Sequence, residues 1–411
     1  MNPISARMSS LKPIVKASAI TLLTLLFSHV AVYDLTSVSF FSPMEKASDF
    51  RFSDFYTLVA NKRPVKELDG NIVIVALDGC DRAEMARAID AIDYCGPAAV
   101  GLDIVFGPPL NPDDDPLSES MELCSNFVMP ITIEEDSTGY FISNSYYDEI
   151  VSPSGGFAAI NIQGEDGELT TIREFKSDFD VDGSIIKSLP NALAEIKNPE
   201  AAQKLALRGK DVEEINFASR EFEILTPSEI LDNQESIEGK VVLLGKIHDA
   251  ADRHITPLDN YMPGILIHAY TLATILEGDY TRTLTPLEDW LIAALLCFLI
   301  VRINIKLIDM VMGPLLVRTL QIGLLYFLIL TGTIVYVKYN IDLNFSYSIL
   351  TVSLGVAACE VYGAIFNEKG LIDSIDKIFN KLKGKIRHEK KNIAGDNSND
   401  ISDTNDAKHL N

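Results

Sequence analysis

Cysteine is scarce, with five residues in a chain of 411. No two of them stand at Cys-x-x-Cys spacing, which excludes a disulfide-stapled scaffold and a CxxC-type zinc site. Positive charge is also in deficit, with 35 lysines and arginines against 58 aspartates and glutamates and a formal net charge of −23. Nucleic-acid binding needs clustered cations to neutralise phosphates, so that class is disfavoured. Gly-x-Ser-x-Gly is absent, and Ser154 before Gly155-Gly156 reads as loop chemistry. There is no internal repeat and no long low-complexity run.

The chain's main feature is segregation. It is 47% hydrophobic and 23% charged, with a mean hydropathy of +0.15. Residues 34–287 hold about 45 acidic and about 19 basic side chains, so the acidity is concentrated there. Four apolar stretches flank that region, at 14–32, 287–305, 315–337 and 343–366. A membrane crossing needs about 20 mostly apolar residues. The second is the weakest, clean only over residues 290–301, with Trp290 suited to the outer interface and Arg302 to the inner one.

The flanking charges give a consistent topology. Arg7, Lys12 and Lys16 keep residues 1–13 in the cytoplasm. Residues 33–286 are then extracytoplasmic. The first stretch also reads as a cleaved signal peptide, and both readings export residues 33–286. Arg302 and Lys306 mark an inner loop, and the short loop near 338–342 is outside. Residues 367–391 are inside. They carry Lys369, Lys377, Lys381, Lys383, Lys385, Arg387, Lys390 and Lys391 beside an apolar stripe of Leu371, Ile375, Ile378, Phe379, Leu382 and Ile386. That pattern is a basic amphipathic helix for an anionic leaflet or a partner. Residues 392–411 read as a disordered tail.

Within the exported region, residues 71–77, 98–106, 126–133 and 241–245 are continuous apolar runs. Residues 83–94 have helical spacing, and 264–276 read as a buried helix. Continuous apolar strands alternating with helices predict an α/β domain with a largely parallel sheet covered by helices. The whole is then that domain plus a four-helix transmembrane portion. Asp115 before Pro116 predicts a helix start. Asp180–Gly183 lacks the rest of a calcium loop. A helix from Leu189 runs into an insertion-like stretch at 198–214.

These residues resemble the CHASE2 domain, the extracytoplasmic sensory domain of many bacterial transmembrane receptors. The resemblance covers nearly all of residues 50–282. DFRFSDFY at 49–56 is similar to the family's opening segment and puts Asp54 at its acidic position. NIVIVALD and GPAAVGLDIVF are similar to its core strands and bring in Asp78 and Asp103. The closing block supplies Gly245, Asp252, Thr256-Pro257, Pro263-Gly264 and His268-Ala269. One span before and three after is the family's usual arrangement. Two departures stand out. GCDRA at 79–83 replaces a tryptophan- and proline-rich segment, which puts in doubt any ligand contact made there in relatives. About 45 residues follow the last span, where relatives usually carry a cyclase or kinase, so no catalytic output is expected.

Strand ends carry the candidate site. Ligands of parallel sheets bind in the crevice at the carboxyl ends of the strands. Asp78 and Asp103 end apolar runs, and His248, Asp249, Asp252 and His254 crowd the turn after residue 245. His268 follows about a turn into the next helix. Asp78, Asp103, Asp249, Asp252 and His268 are the candidate ligand-binding residues, for a divalent metal or a cationic ligand. In the plainer reading Asp78 caps the next helix, Asp103 accepts from a neighbouring loop, and His268 is a satisfied core residue. No cofactor and no catalytic residue is expected. Cys80, Cys95 and Cys124 would be exported; pairing and burial as small hydrophobes both stay open. Glu360 stands in the last stretch near its cytoplasmic end.

Three functions remain. The first is a sensor in a bacterial plasma (inner) membrane. It binds a small ligand or envelope component and relays to a separate signalling or envelope protein, with a homo-oligomer also open. The second is an envelope scaffold that signals nothing. The third is a metal-dependent hydrolase built on Asp78, Asp103 and His268. The topology is directly testable. Reporter fusions after Asp49 should report export and fusions after Lys391 the cytoplasm; an exported carboxyl terminus would end the four-span arrangement.

Overall fold

The run at 71–77 forms strand β1 (Glu67–Ala76), and the run at 241–245 forms β11 (Val241–Gly245). Both are buried on two faces. Ile72, Ile74, Val241 and Leu243 enter one core, while Val73, Val75, Val242 and Leu244 enter the other. That two-sided burial is why the runs carry no polar alternation. The structure is a computed structural model. It describes residues 13–29, 51–62, 67–109, 116–136, 139–143, 145–162, 170–217, 220–307, 310, 312–343 and 345–366. The amphipathic stretch at 367–391, the tail after it and Asp115 lie outside the described residues.

Seven strands make the main sheet. Its path is β10 (Arg220–Leu225), β1, β11, β2 (Ala99–Asp103), β3 (Phe127–Asp136) and β4 (Gly139–Ser143), and β5 (Phe157–Ala159) pairs with β3. Every pair is parallel except β3 with β4. The α/β reading stands, with one antiparallel addition and a charged edge strand, β10, that the apolar pattern does not signal. Register aligns Ala76, Gly245 and Asp103 across three neighbouring strands, so their chain exits lie side by side.

Helices cover both faces. One core is closed by α3 (Arg82–Tyr94) and α4 (Leu117–Leu123), the other by α5 (Leu189–Lys197), α6 (Pro199–Arg208) and α7 (Gly264–Glu277). Leu189 and Leu193 press so closely on β2 that a Cβ on Gly101 would fall 2.6 Å from Leu193 Cδ1. Two local readings change, and a third stretch gains its structure. Pro116 precedes α4 rather than opening it. The stretch at 198–214 is α6, capped by Asn198, followed by β9 (Glu213–Glu214), which pairs with β6 (Glu174–Phe175). Asp180–Gly183 joins β7 (Asp178–Val181) to β8 (Ser184–Lys187), with positive φ at Asp182 and Gly183, a hairpin turn.

Buried charge is paired at the amino-terminal end of β1. Asp69 accepts N–H bonds from Asn71 and Ile72 at 2.8 and 3.0 Å and one from Arg220 Nη1 at 3.0 Å. Arg220 closes a two-pronged pair with Glu277, at 2.8 Å on each arm. Arg173 grips Asp54 of α2 (Phe52–Ala60) in the same way, at 2.8 and 2.7 Å. Cys80, Cys95 and Cys124 are free thiols, the last two buried.

The chain divides into two units. The sheet unit comprises residues 42–284 and 330–344, so it includes the last turns of α9 (Gly313–Tyr339) and the short strand β15 (Ile341–Asp342). β15 pairs in parallel with β14 (Arg282–Thr283). The other unit holds α1 (Pro13–His29), α8 (Pro286–Leu307), the first turns of α9 and α10 (Ser346–Phe366). Its core joins Ala17, Ile20, Cys297, Val301, Val352 and Val356. Gln321 donates to the carbonyls of Val352 and Ser353, and Glu360 pairs with Arg318 at 2.7 Å on the exposed side. Among the described residues two helices, Pro286–Leu307 and Gly313–Tyr339, are long and apolar enough to cross a membrane, not the four expected; Pro13–His29 and Tyr347–Tyr362 are shorter apolar helices.

The close approach at Gly101 generates a stability prediction. Gly101→Val inserts a branched side chain where Leu193 stands. It should destabilise the domain by about 1–3 kcal/mol, the usual cost of overpacking, read as a lowered midpoint in denaturant unfolding. An unchanged midpoint would mean that α5 can retreat at no cost.

Candidate functional site

The site starts from the aligned strand exits. Two residues beyond Ala76, the Asp78 carboxylate accepts N–H bonds from Ile247 at 3.0 Å and His248 at 2.7 Å. It therefore holds the loop after β11 and does not cap the next helix. Asp81 caps α3, exchanging bonds with Glu84 in a capping box. Partial burial works against the Asp78 charge, but the two N–H groups and the His248 ring outweigh it and hold the carboxyl below its ordinary range.

The second part of the site is built around the start of α7. Strands β12 (Arg253–His254) and β13 (Met262–Pro263) pair with each other and draw Asp252 to Gly264. Asp252 accepts the Gly264 N–H at 3.0 Å and lies 2.9 Å from His254 Nε2. A Cβ at Gly264 would stand 2.5 Å from Asp252 Oδ1, so the Pro263-Gly264 step leaves room for the carboxylate. A carboxylate at the first N–H of a helix also meets the positive end of its dipole. Burial opposes the Asp252 charge; His254, the Gly264 N–H and His268 overcome it and lower its pKa.

His268, one turn into α7, is 4% exposed. Its Nε2 lies 3.7 Å from Asp103 Oδ1 at the end of β2. Burial lowers the imidazole to a pKa of about 4, against the pull of Asp252. Beside it is a cavity of about 20 Å³ lined by Asn161, Glu174, Ser188 and Thr271 among others, enough for one water. Asp249 stays apart: it accepts the Ala251 N–H at 3.0 Å and faces Lys246 at 3.5 Å on the exposed loop.

Of the five candidates, then, Asp103, Asp252 and His268 converge, Asp78 serves the adjoining loop from the same edge, and Asp249 is outside. Among the described residues no three His, Cys, Asp or Glu side chains are grouped to hold a metal ion. The carboxylates of Asp78 and Asp252 are engaged by backbone N–H groups, an arrangement suited to fixing loops. A larger space lies elsewhere. A cavity of about 500 Å³ opens between β3, β5, β8 and α5, lined by Ile131, Ile142, Phe157, Ile185 and Ile196, with Asp148 also on its wall. That volume is in the range of small-molecule sites. Its one trace in the amino-acid pattern is the apolar pair Ile185 and Ile186 in the 184–187 hairpin, which a solvent-facing strand has little reason to carry.

The buried imidazole sets a pH dependence. His268 is neutral in the folded domain down to about pH 4, while an unfolded histidine takes its proton near 6.5. Its contribution is present above pH 6.5 and lost as pH falls towards 4, up to about 3 kcal/mol. His268→Gln should remove that loss, measured by unfolding of the two proteins between pH 7 and pH 4; parallel profiles would contradict the burial of a neutral ring.

A family model described as the CHASE2 domain matches residues 25–303. No curated protein and no solved structure matches the chain.

Proposed function

The chain belongs to the CHASE2 domain family, a family of extracellular sensory domains, and from that premise we propose a membrane-anchored sensor that relays to a separate protein. In this reading the sheet unit is exported, α1, α8, α9 and α10 cross a bacterial inner membrane, and the basic stretch at 367–391 is the inner output. The chain works without chemistry of its own. One observation carries the reading. The segment joining the apolar helices α9 and α10 is itself part of the sheet unit: β15 pairs with β14. A change in the sheet unit therefore reaches α9 directly, through its own last turns.

The cavity beside β8, where isoleucines stand with Asp148, Lys187 and Glu195, supports a ligand-binding role, for a small molecule with both an apolar body and polar groups. The strand-end carboxylates are then the frame that holds the loops. The scaffold alternative has weaker support, because a docking protein has no need of a cavity of this size.

The output half of the reading is tested at the tail. Replacing Ile375, Phe379 and Leu382 by serine keeps every charge and removes the apolar stripe. We expect normal insertion, with loss of the copurifying partner and of the cellular phenotype. A variant that inserts and retains both would reduce the tail to a topological anchor.

A further inference from the structure

A second group of ionisable side chains gathers in the sheet unit, where residue 51, β6, β9 and the last turns of α9 meet. β6 and β9 are antiparallel and place Glu174 directly opposite Glu214. Like charges in that position repel. Arg51 reaches both, at 2.8 Å from Glu174 and 3.9 Å from Glu214, so Glu174 holds the short contact. The Glu214 side chain is 17% exposed. Also facing it are Asp342 of β15, which is 2% exposed, Lys210, and Tyr336 of α9. Lys210 pairs with Glu213 at 3.2 Å, and the adjacent Asp54 is taken up by Arg173. Two other carboxyl groups thus act on Glu214, Glu174 from across the ladder and Asp342 from β15.

The segment bearing Tyr336 and Asp342 is fastened to the sheet unit at several points. Tyr336 and Thr57 hydroxyls lie 2.9 Å apart. Asn340 donates to Asp279 at 2.9 Å and accepts from Thr281 at 3.0 Å. Gly332 lies against the Tyr56 ring, where any side chain would collide. This segment carries Asp342, whose charge disfavours an ionised Glu214.

We propose that Glu214 is a proton-binding site and that its protonation holds the 336–342 segment docked, so the latch loosens as the surrounding medium becomes less acidic. Burial first, then Asp342, pushes the Glu214 carboxyl up to about 7; Arg51 and Lys210 pull it down and Glu174 adds to the rise. The sign follows from linkage. The docked carboxyl binds more protons than a free one, so docking is unopposed in acid. The penalty builds as pH rises from the ordinary glutamate range to about 7 and is constant above it. This deepens the sensor reading by adding an input, and only its assignment to the outer medium rests on that reading.

Amide hydrogen exchange on the full chain in lipid nanodiscs tests the latch. After correction for intrinsic rates, protection at 281–284 and 336–342 should fall at least about tenfold between about pH 5 and about pH 8, the change expected from one unit of pKa difference. Glu214→Gln, neutral and of the same shape, should stay protected at the higher pH. Asp342→Asn removes the facing charge and should move the wild-type transition to lower pH. A flat wild-type profile, a Glu214→Gln profile that follows the wild type, or an upward shift in Asp342→Asn would each overturn the proposal. A flat profile with reporter fusions that show export would remove the proton role and leave the sensor reading. A responsive profile with a cytoplasmic sheet unit would keep the latch and remove the outer-medium assignment.

Discussion

A parallel sheet buried on both faces leaves its strand ends as the places where backbone polar groups must find new partners. Each unpaired N–H in such a site costs roughly 1–3 kcal/mol. Here aspartates meet that demand at both ends of the central strands. Asp69 takes two N–H groups within β1, Asp78 takes two from the loop after β11, and Asp252 takes the first N–H of α7. The loops at the carboxyl edge, and with them the position of α7, depend on these bonds. The remaining geometry of the domain is hung on this frame: His268 buried behind Asp103, and Arg220 spanning Asp69 and Glu277.

The same constraint decides how much of the fold the residues reveal. Continuous apolar runs at 72–75 and 241–244 are legible because both faces are buried, and three neighbouring exits follow from their being parallel. The acidic ends are legible as types but not as partners. Asp78 reads as a cap before α3; only the fold shows that the loop at 247–248 returns to Asp78 and that Asp81 does the capping. β10 carries Glu221 and Glu223 because it is an edge strand, while Arg220 is drawn inside by Asp69 and Glu277, so the strand lacks a continuous apolar run. The 336–342 segment is harder still to read. Its two-residue strand and single asparagine at positive φ have no pattern that distinguishes them from an ordinary turn between helices.

Among the described residues, α9 is the helix whose turns fall in both units. A helix transmits displacement along its axis because each turn is bonded to the next. Its end carries Tyr336 and leads into Asn340 and β15, all of them fixed by side-chain or ladder bonds to the sheet unit. A receptor needs two states that differ by a modest free energy, with a ligand that prefers one of them. A contact made of a few polar bonds and one poorly matched carboxyl meets that requirement better than a large apolar seam, which would be too costly to open.

The edge strand β10 has a bearing on how copies of the protein can meet. An open edge invites a second sheet to extend it, the usual route to strand-exchanged pairs and to aggregation. Along β10, Glu221 and Glu223 punctuate the exposed row, and Glu223 stands 3.8 Å from Lys240 of its own domain. A second copy arriving antiparallel would bring the same acidic pattern against itself, carboxylate to carboxylate. Self-assembly by continuation of the β10 edge is therefore disfavoured by charge, and a pairing between copies has to use another surface.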